Sequence, residues 1–331
     1  MVRSCFRRRV RVTEWNGAAA LKAIGLPGSD PRDLPASPLT FPDGAHYRVE
    51  IPSTEGPTAL DAVLEEAARL RVPVTRVSQG SGVFMHTDAE LDEMARLAES
   101  ARVEVSLFAR PNAGWSASAM ARSAVGALIA PTAHGADQLA AVVDDVLRAA
   151  AHGFRSVLIQ DVGALHAFGE LRRAGILPND MQAKVSVMLP VANPASARVV
   201  ERLGASTINL PTDLTLAEIA AIRAAASLPL DVYIECPDNI GGFMRYEEIP
   251  DLIRVAAPVY LKFGLRGTVD PYPAGNHVKA ALVANARERV RRARLGLELL
   301  ERSRAARFRT SSPGAAGLAI PVVEGALVLR Q

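Results

Sequence analysis

Residues 74–108 read VTRVSQGSGVFMHTDAELDEMARLAESARVEVSLF. A short run rich in β-branched residues, Val74–Ser78, is followed by helically spaced apolar residues over Asp88–Ser100 and by a second short run, Glu104–Phe108. Apolar residues three and four positions apart predict a helix, and short β-branched runs predict buried strands. The stretch therefore predicts a strand–helix–strand unit.

The same unit repeats along the chain. The predicted strands are Tyr47–Ile51, Val74–Ser78, Glu104–Phe108, Ser156–Gln160, Ala183–Met188, Thr207–Leu210, Leu230–Glu235 and Val259–Phe263. The predicted helices that follow them are Thr58–Leu70, Asp88–Ser100, Ala136–Ala150, Gly163–Ala174, Pro194–Leu203, Leu216–Ala226, Tyr246–Ala256 and Val278–Ser303. Strict alternation of this kind predicts an α/β protein, a single (β/α)₈ TIM barrel. The alternative, a doubly wound open sheet, would leave two edge strands and usually has fewer units.

Segments of different composition flank the predicted barrel, which spans residues 46–304. Residues 13–45 are rich in Gly, Pro, Asp and Ser, so we expect residues 1–45 to form a partly disordered extension with one short helix near Ala18–Ile24. Residues 305–331 are expected to form a loosely ordered tail, apart from the apolar stretch Leu318–Val323, which could dock elsewhere on the molecule. One long connection, Arg110 to Gly135, is expected to be a lid or a surface excursion.

Charge and composition narrow the class of protein. The formal net charge is +3, but residues 1–12 carry +5 and residues 302–331 carry +4, so residues 13–301 carry −6. An acidic folded body argues against a nucleic-acid-binding protein. No apolar run is long enough to span a bilayer, and the start does not have the pattern of a secretory signal. With two cysteines and no disulfide framework, we expect a cytoplasmic protein without a membrane partner.

Several segments, in this order and spacing, resemble the collagenase-like peptidase family U32. They are Gly153-Phe-Arg-Ser-Val-Leu-Ile-Gln-Asp-Val-Gly-Ala-Leu, Lys184-Val-Ser-Val-Met, Ala192-Asn-Pro-Ala-Ser-Ala, Asn209-Leu-Pro-Thr-Asp-Leu-Thr-Leu-Ala-Glu-Ile and Leu228-Pro-Leu-Asp-Val-Tyr-Ile-Glu. The resemblance implies a barrel fold and a hydrolase, a peptidase that acts on a peptide-like or small-molecule substrate at the C-terminal face of the barrel.

The chain departs from the family in its cysteines. Where the family runs His-Gly-x-Leu-Cys, this chain has Glu235-Cys-Pro-Asp-Asn239, so Glu235 replaces the histidine and Asn239 the cysteine. The further cysteines that hold an iron–sulfur cluster in some members have no counterparts. The chain resembles a divergent member that lacks the cysteine cluster, and no iron–sulfur cluster is expected.

Three charged residues at strand ends are the candidates for catalysis: Glu50, Glu235 and Lys262. Each lies in or at the end of an otherwise apolar strand, where a buried charge without a partner costs several kcal/mol. Their strands are the first, seventh and eighth, which are neighbours in a closed barrel. The group could serve in proton transfer, in Schiff-base chemistry at Lys262, or in binding a divalent metal through Glu50 and Glu235. The alternative is a structural salt bridge that closes the barrel.

Further polar residues follow strand ends, where barrels bind their substrates. Gln79, Asp161, Asn209 and Arg266 are the candidates for orienting substrate. Cys236 is a weaker candidate, because no histidine can be paired with it from the sequence.

The sequence leaves the reaction open. Besides a hydrolase, it is compatible with a metal-dependent or lysine-dependent lyase or isomerase acting on a phosphorylated or carboxylated metabolite. A non-catalytic scaffold whose mouth is plugged by the Arg110–Gly135 connection is the third alternative. Apart from the divalent metal no cofactor is indicated. The expected partner is a small-molecule or peptide substrate, and assembly into a homo-oligomer is left open.

Overall fold

The eight strands form one closed parallel barrel in sequence order, β1-β2-β3-β4-β5-β6-β7-β8, with β8 paired to β1. A computed structural model describes residues 16–109, 132–268, 270–303 and 307–323. The strands are β1 (Tyr47–Ile51), β2 (Val74–Ser78), β3 (Glu104–Phe108), β4 (Ser156–Ile159), β5 (Gln182–Val185), β6 (Thr207–Asn209), β7 (Leu230–Glu235) and β8 (Val259–Phe263). The predicted (β/α)₈ barrel is confirmed.

Helices alternate with the strands and cover the outside of the barrel. They are α1 (Gly17–Ala23), α2 (Pro57–Leu70), α3 (Asp88–Ala101), α4 (Gly135–Ala151), α5 (Val162–Arg173), α6 (Pro194–Leu203), α7 (Leu216–Arg223), α8 (Ile249–Ala256) and α9 (Lys279–Arg302). Residues 110–131 of the long connection after β3 lie outside the described residues. Within the described ranges, none of the helices is both long and apolar enough to cross a bilayer.

Local sequence sets where several helices begin. The Thr87 side chain accepts a hydrogen bond from the Glu90 backbone N–H, and the Glu90 carboxylate accepts one from the Thr87 backbone, which starts α3. Thr215 and Glu218 form the same reciprocal pair at the start of α7. Such caps satisfy backbone N–H groups that have no partner inside the helix. They explain why helix starts were predictable from the sequence.

The two faces of the strands meet very different surroundings. Apolar strand residues such as Val49, Leu107 and Leu261 are buried in the core between the barrel and its helices. The barrel interior is instead lined largely by polar and charged side chains that are almost completely buried: Arg48, Glu50, Arg76, Glu104, Lys184, Asp231 and Lys262. Most barrels of this fold fill the interior with branched apolar residues. The interior of this barrel is therefore the feature that calls for a functional explanation.

The C-terminal segment closes the N-terminal end of the barrel. Thr310 forms a parallel bridge with Tyr47 of β1. Arg48 donates to the Ser311 hydroxyl at 2.9 Å and to the Ala316 carbonyl at 2.6 Å. Residues 307–323 thus contact the barrel, and these contacts satisfy polar groups that an open barrel end would leave exposed.

Candidate active site

The eight strands, or the residues that directly follow them, line one cavity at the C-terminal end of the barrel. Its volume is about 340 Å³. The lining residues, in chain order, are Pro52, Ser53, Ser78, Gln79, Gly80, Phe108, Leu158, Ser186, Val187, Met188, Asn209, Tyr233, Pro237, Asn239, Ile240, Lys262, Asp270 and Tyr272. Catalytic groups of this fold project from this end of the barrel. The cavity is therefore the candidate active site.

Lys262 places a buried amine against this cavity. The residue is 2% exposed. With its oxygen oriented toward Lys262 Nζ and the Val187 N–H, the Asn209 amide accepts a hydrogen bond from Lys262 Nζ at 2.8 Å. Lys262 Nζ also lies 4.1 Å from the centre of the Tyr233 ring and 3.6 Å from Glu50 Oε1. Asn209 and Glu50 thus fix the amine at the base of the cavity.

Glu50 lies beneath Lys262 and is surrounded by donors. Ser78 Oγ donates to Glu50 Oε1 at 2.7 Å, Arg76 Nε donates to Oε2 at 2.7 Å, and Lys184 Nζ contacts both oxygens. Burial alone would raise the pKa of the Glu50 carboxyl, but the cations of Arg76, Lys184 and Lys262 hold that pKa well below its usual range. Glu50 is therefore a permanent anion shared by three cations.

A second acid continues the cluster toward the N-terminal end of the barrel. Asp231 lies 2.6 Å from Arg76 Nη2 and 3.0 Å from Lys184 Nζ. Glu104 follows, 3.7 Å from Arg76 Nη1, and accepts a hydrogen bond from Ser156 Oγ at 2.8 Å. Positive and negative charges thus alternate along the barrel axis, and Lys262 ends the series at the cavity.

Lysine usage singles out the same residues. The chain has only four lysines, Lys22, Lys184, Lys262 and Lys279, although lysine and arginine together number 38. Two of the four are buried inside the barrel. Lysine can change its protonation state when buried, which arginine does not do. The rarity of lysine could have pointed to Lys184 in the sequence. Lys184, Arg76 and Asp231 were nevertheless not among the site residues predicted from the sequence.

The pH dependence of stability is expected to report on Lys184. Burial and the neighbouring Arg76 guanidinium lower the pKa of Lys184 from 10.5 to about 8. Between these pH values the unfolded chain binds more protons than the folded one, so this group makes the free energy of unfolding rise with pH. We expect a gain of about 1.5 kcal/mol between pH 8 and about pH 9.5, measured by urea denaturation.

Two variants test the assignment. Lys184→Met is expected to remove this rise, whereas Lys22→Met on the exposed face of α1 is expected to leave it unchanged. The window stops near pH 9.5 because burial raises the pKa of Tyr260, and a raised tyrosine pKa makes stability fall at higher pH. A rise that persists in Lys184→Met would contradict the assignment.

Glu235 does not join Glu50 and Lys262. The pairing of β7 with β8 shifts register between Tyr233 and Glu235, so Tyr233 lies opposite Lys262 but Glu235 lies opposite Phe263. The Glu235 carboxylate instead accepts hydrogen bonds from Tyr246 Oη at 2.6 Å and from the Arg266 backbone N–H at 2.9 Å. The expected convergence of three side chains is therefore wrong for Glu235, because a bulge changes the direction of the strand before its last residue.

The contacts of the two glutamates do not favour a shared metal ion. Glu50 is enclosed by three cations, and the contacts of Glu235 include Arg292 at 3.3 Å. Among the described residues, the hydrogen-bond and ion-pair partners of the two carboxylates do not overlap. Among the described residues, no group of three or more His, Cys, Asp or Glu side chains is arranged to hold a metal.

The four residues expected to orient substrate have different surroundings. Asn209 and Gln79 line the cavity. The Gln79 amide oxygen also accepts from the Gly82 backbone N–H at 3.1 Å and so fixes the loop after β2. Asp161 caps α5 by accepting from the Ala164 N–H at 2.7 Å. Arg266 is about half exposed, pairs with Asp238 at 2.8 Å and does not line the cavity.

Cys236 lies next to Glu235 but is buried and faces backbone. Its Sγ donates to the Ile240 carbonyl at 3.1 Å. Burial raises the pKa of the thiol. A thiol in these surroundings is a packing residue rather than a nucleophile.

A larger groove exists elsewhere on the surface. It measures about 800 Å³ and lies between residues 29–34 and the start of α7. Arg245 is its buried charged residue, and this guanidinium is already bonded to the Leu214 carbonyl and to Glu248. Among its described lining residues, the groove therefore lacks a buried lysine amine of the kind that distinguishes the barrel cavity.

A match to a protein-family model supports the resemblance to peptidase family U32. Residues 117–236 match the model of Peptidase family U32, which confirms that prediction. The matched range contains Lys184, Asn209, Asp231 and Tyr233 but ends before Lys262. No curated protein sequence matches the chain.

Solved structures with a similar fold are distant. The U32 peptidase Mk0906 is 16% identical with a TM-score of 0.37, over 72% of this chain and 86% of the other. A putative lyase/mutase from Burkholderia cenocepacia J2315 is 17% identical with a TM-score of 0.43, over 87% and 91%. The putative copper homeostasis protein CutC from Streptococcus agalactiae is 13% identical with a TM-score of 0.43, over 65% and 98%. Sequence identities and TM-scores this low give no information about the reaction of this chain.

Proposed function

We propose that this chain, which is related to peptidase family U32 through residues 117–236, is an enzyme that holds a small substrate by a carbonyl or carboxylate oxygen at Lys262. One observation carries the proposal. The Lys262 amine lies at the base of a cavity at the catalytic end of the barrel, with the Asn209 amide oxygen within hydrogen-bond distance and Glu50 at 3.6 Å.

The chemistry follows from the donor capacity of the amine. A lysine ammonium has three N–H donors, and Asn209 takes one of them. The remaining donors can bind a substrate oxygen and stabilise negative charge that develops there during the reaction. A fixed donor in a site that excludes water is one of the largest contributions to catalysis, often worth about 3–4 kcal/mol. Tyr233 and Asn209 hold the amine in place for this role.

Hydrolysis of an amide bond in a peptide-like or small-molecule substrate is the reaction that the family match favours, because negative charge develops on the carbonyl oxygen when that bond is attacked. A lysine-dependent lyase or isomerase acting on a carboxylated metabolite is the second candidate. It is favoured by the partners of the three lining serines: Ser78 bonds to Glu50, Ser53 bonds to Tyr272 at 2.5 Å, and Ser186 Oγ accepts from the Met188 N–H at 3.2 Å. None of the three has the histidine partner of a serine nucleophile in the described structure.

Replacement of Lys262 by Met is expected to weaken the binding of small carboxylates by at least about tenfold in Kd. The probes are acetate, propionate, succinate and pyruvate, titrated by calorimetry into the full chain. Lys22→Met is the matched control and is expected to bind within about twofold of wild type, because Lys22 is exposed on α1. Lys262→Arg, which keeps the charge, is expected to retain part of the affinity and guards against misfolding of the Met variant.

The results separate the candidates. Binding that Lys262→Met does not weaken, or no binding of any probe to wild type, would overturn the proposal. Borohydride reduction in the presence of pyruvate, followed by peptide mass mapping, tests imine formation. With four lysines in the chain the adduct is easy to locate. An adduct on Lys262 favours the lyase reaction, and unmodified Lys262 favours hydrolysis.

A further inference from the structure

The cavity carries one positive and one negative side chain. Among its described lining residues, Lys262 is the one basic residue and Asp270 is the one acidic residue. The other titratable groups of the lining are Tyr233 and Tyr272, and burial raises the pKa of both, so they stay neutral at ordinary pH. A ligand in this cavity therefore meets two opposite charges.

The positive charge lies at the deep end. Lys262 is 2% exposed, and the acid that ends the buried cluster on the other side, Glu104, is at the start of β3, near the N-terminal end of the barrel. Glu104 also accepts a hydrogen bond from the Ala319 N–H of the C-terminal segment at 3.3 Å. The series of buried charges from Glu104 to Lys262 thus ends in a cation at the cavity, which favours an anionic group beside Lys262.

The negative charge lies at the rim. Asp270 is exposed. Its Oδ2 accepts from Asn239 Nδ2 at 3.0 Å and its Oδ1 from the Tyr272 backbone N–H at 3.1 Å. In the part of the chain that the structure describes, no basic side chain lies within ion-pair distance of Asp270. Arg266, on the same loop, is paired with Asp238. Asp270 is thus a positioned carboxylate without a cationic partner among the described residues.

The wall between the two charges is apolar. Phe108, Leu158, Met188 and Ile240 line it. A cavity of about 340 Å³ holds a small metabolite rather than a folded substrate. The ligand that fits these three regions has an anionic end, an apolar body and a cationic end.

We propose that the substrate class is a small zwitterionic amino acid, which has no amide bond and therefore fits the lyase or isomerase candidate. It enters with its carboxylate toward Lys262, and its ammonium group lies at Asp270. This inference rests on the proposed function, because both place a substrate oxygen at Lys262. It adds that Asp270 determines specificity by selecting a ligand with a positive charge.

The test compares zwitterions with acids of the same length. The probes are ω-amino acids with two to six methylene groups, the corresponding unbranched carboxylic acids, and leucine with 4-methylpentanoate. Calorimetry on the full chain is expected to show at least one amino acid binding about tenfold more tightly than its matched acid. In Asp270→Asn this advantage is expected to disappear, because an amide cannot form an ion pair with the ammonium group of the ligand. Asp251→Asn, an exposed change on α8, is the control and is expected to keep the advantage.

The outcomes distinguish this inference from the proposed function. If plain acids bind in a Lys262-dependent way and amino acids bind no more tightly, the proposed preference for zwitterionic ligands is wrong. The proposed function would not be affected by that result. A preference that survives in Asp270→Asn would overturn the role of Asp270. If no acid or amino acid binds at all, both proposals fail.

Discussion

Glu50→Gln is expected to lower the free energy of unfolding by about 3–5 kcal/mol, the largest effect of any single change considered. The carboxylate is fully buried and is shared by Arg76, Lys184 and Lys262. An amide of the same size keeps the packing but leaves these cations with Asp231 and Glu104 as the remaining acids of the cluster. Uncompensated buried charge is among the few mechanisms that destabilise a protein this strongly.

Urea denaturation at pH 7 measures the effect. Glu65→Gln is the matched control, because Glu65 is exposed and pairs with exposed Arg287. An exposed pair of this kind contributes at most about 1 kcal/mol. Glu50→Gln combined with Lys184→Met removes one acid and one base and is expected to recover part of the loss. If Glu50→Gln costs no more than Glu65→Gln, the buried cluster does not depend on Glu50.

Glu235→Ala is expected to lower the free energy of unfolding by about 2–4 kcal/mol, while binding in the cavity changes by less than about twofold. The change leaves the buried Tyr246 hydroxyl and the Arg266 backbone N–H without their acceptor. Since Glu235 does not line the cavity, we expect it to act through the fold rather than on the substrate.

Two further variants sharpen this expectation. Glu235→Gln keeps an acceptor oxygen and is expected to cost about half as much as Glu235→Ala. Glu247→Ala, an exposed change in the turn that also carries Tyr246, is expected to stay within about 0.5 kcal/mol of wild type. A Glu235→Ala protein that is stable but no longer binds the carboxylate probes would contradict this expectation. It would indicate that Glu235 takes part in binding in the cavity.

The order of elements could be predicted because it depends on local patterns. Predicted and observed bounds agree for β1, β2, β3, β7 and β8, while predicted β5 extended three residues beyond Val185. Ser186 and Met188 follow the strand in a turn, and the residues there are apolar enough to resemble a strand continuation. The length of an apolar run, its periodicity and the capping residues all depend on residues close together in the chain. These local features indicate whether a segment forms a helix or a strand.

Local patterns along the chain were enough to predict the alternation of eight strands and helices, and hence a barrel whose strand ends share one face. They also placed Glu50 and Lys262 on strands that close the barrel, where the two residues pair in register. Which charged side chains contact each other depends instead on the folded barrel. Lys184 reaches Glu50 across 134 residues of chain, and the register shift in β7 takes Glu235 away from both. Such contacts depend on strand register and side-chain direction in the closed barrel, and no local pattern in the sequence encodes them.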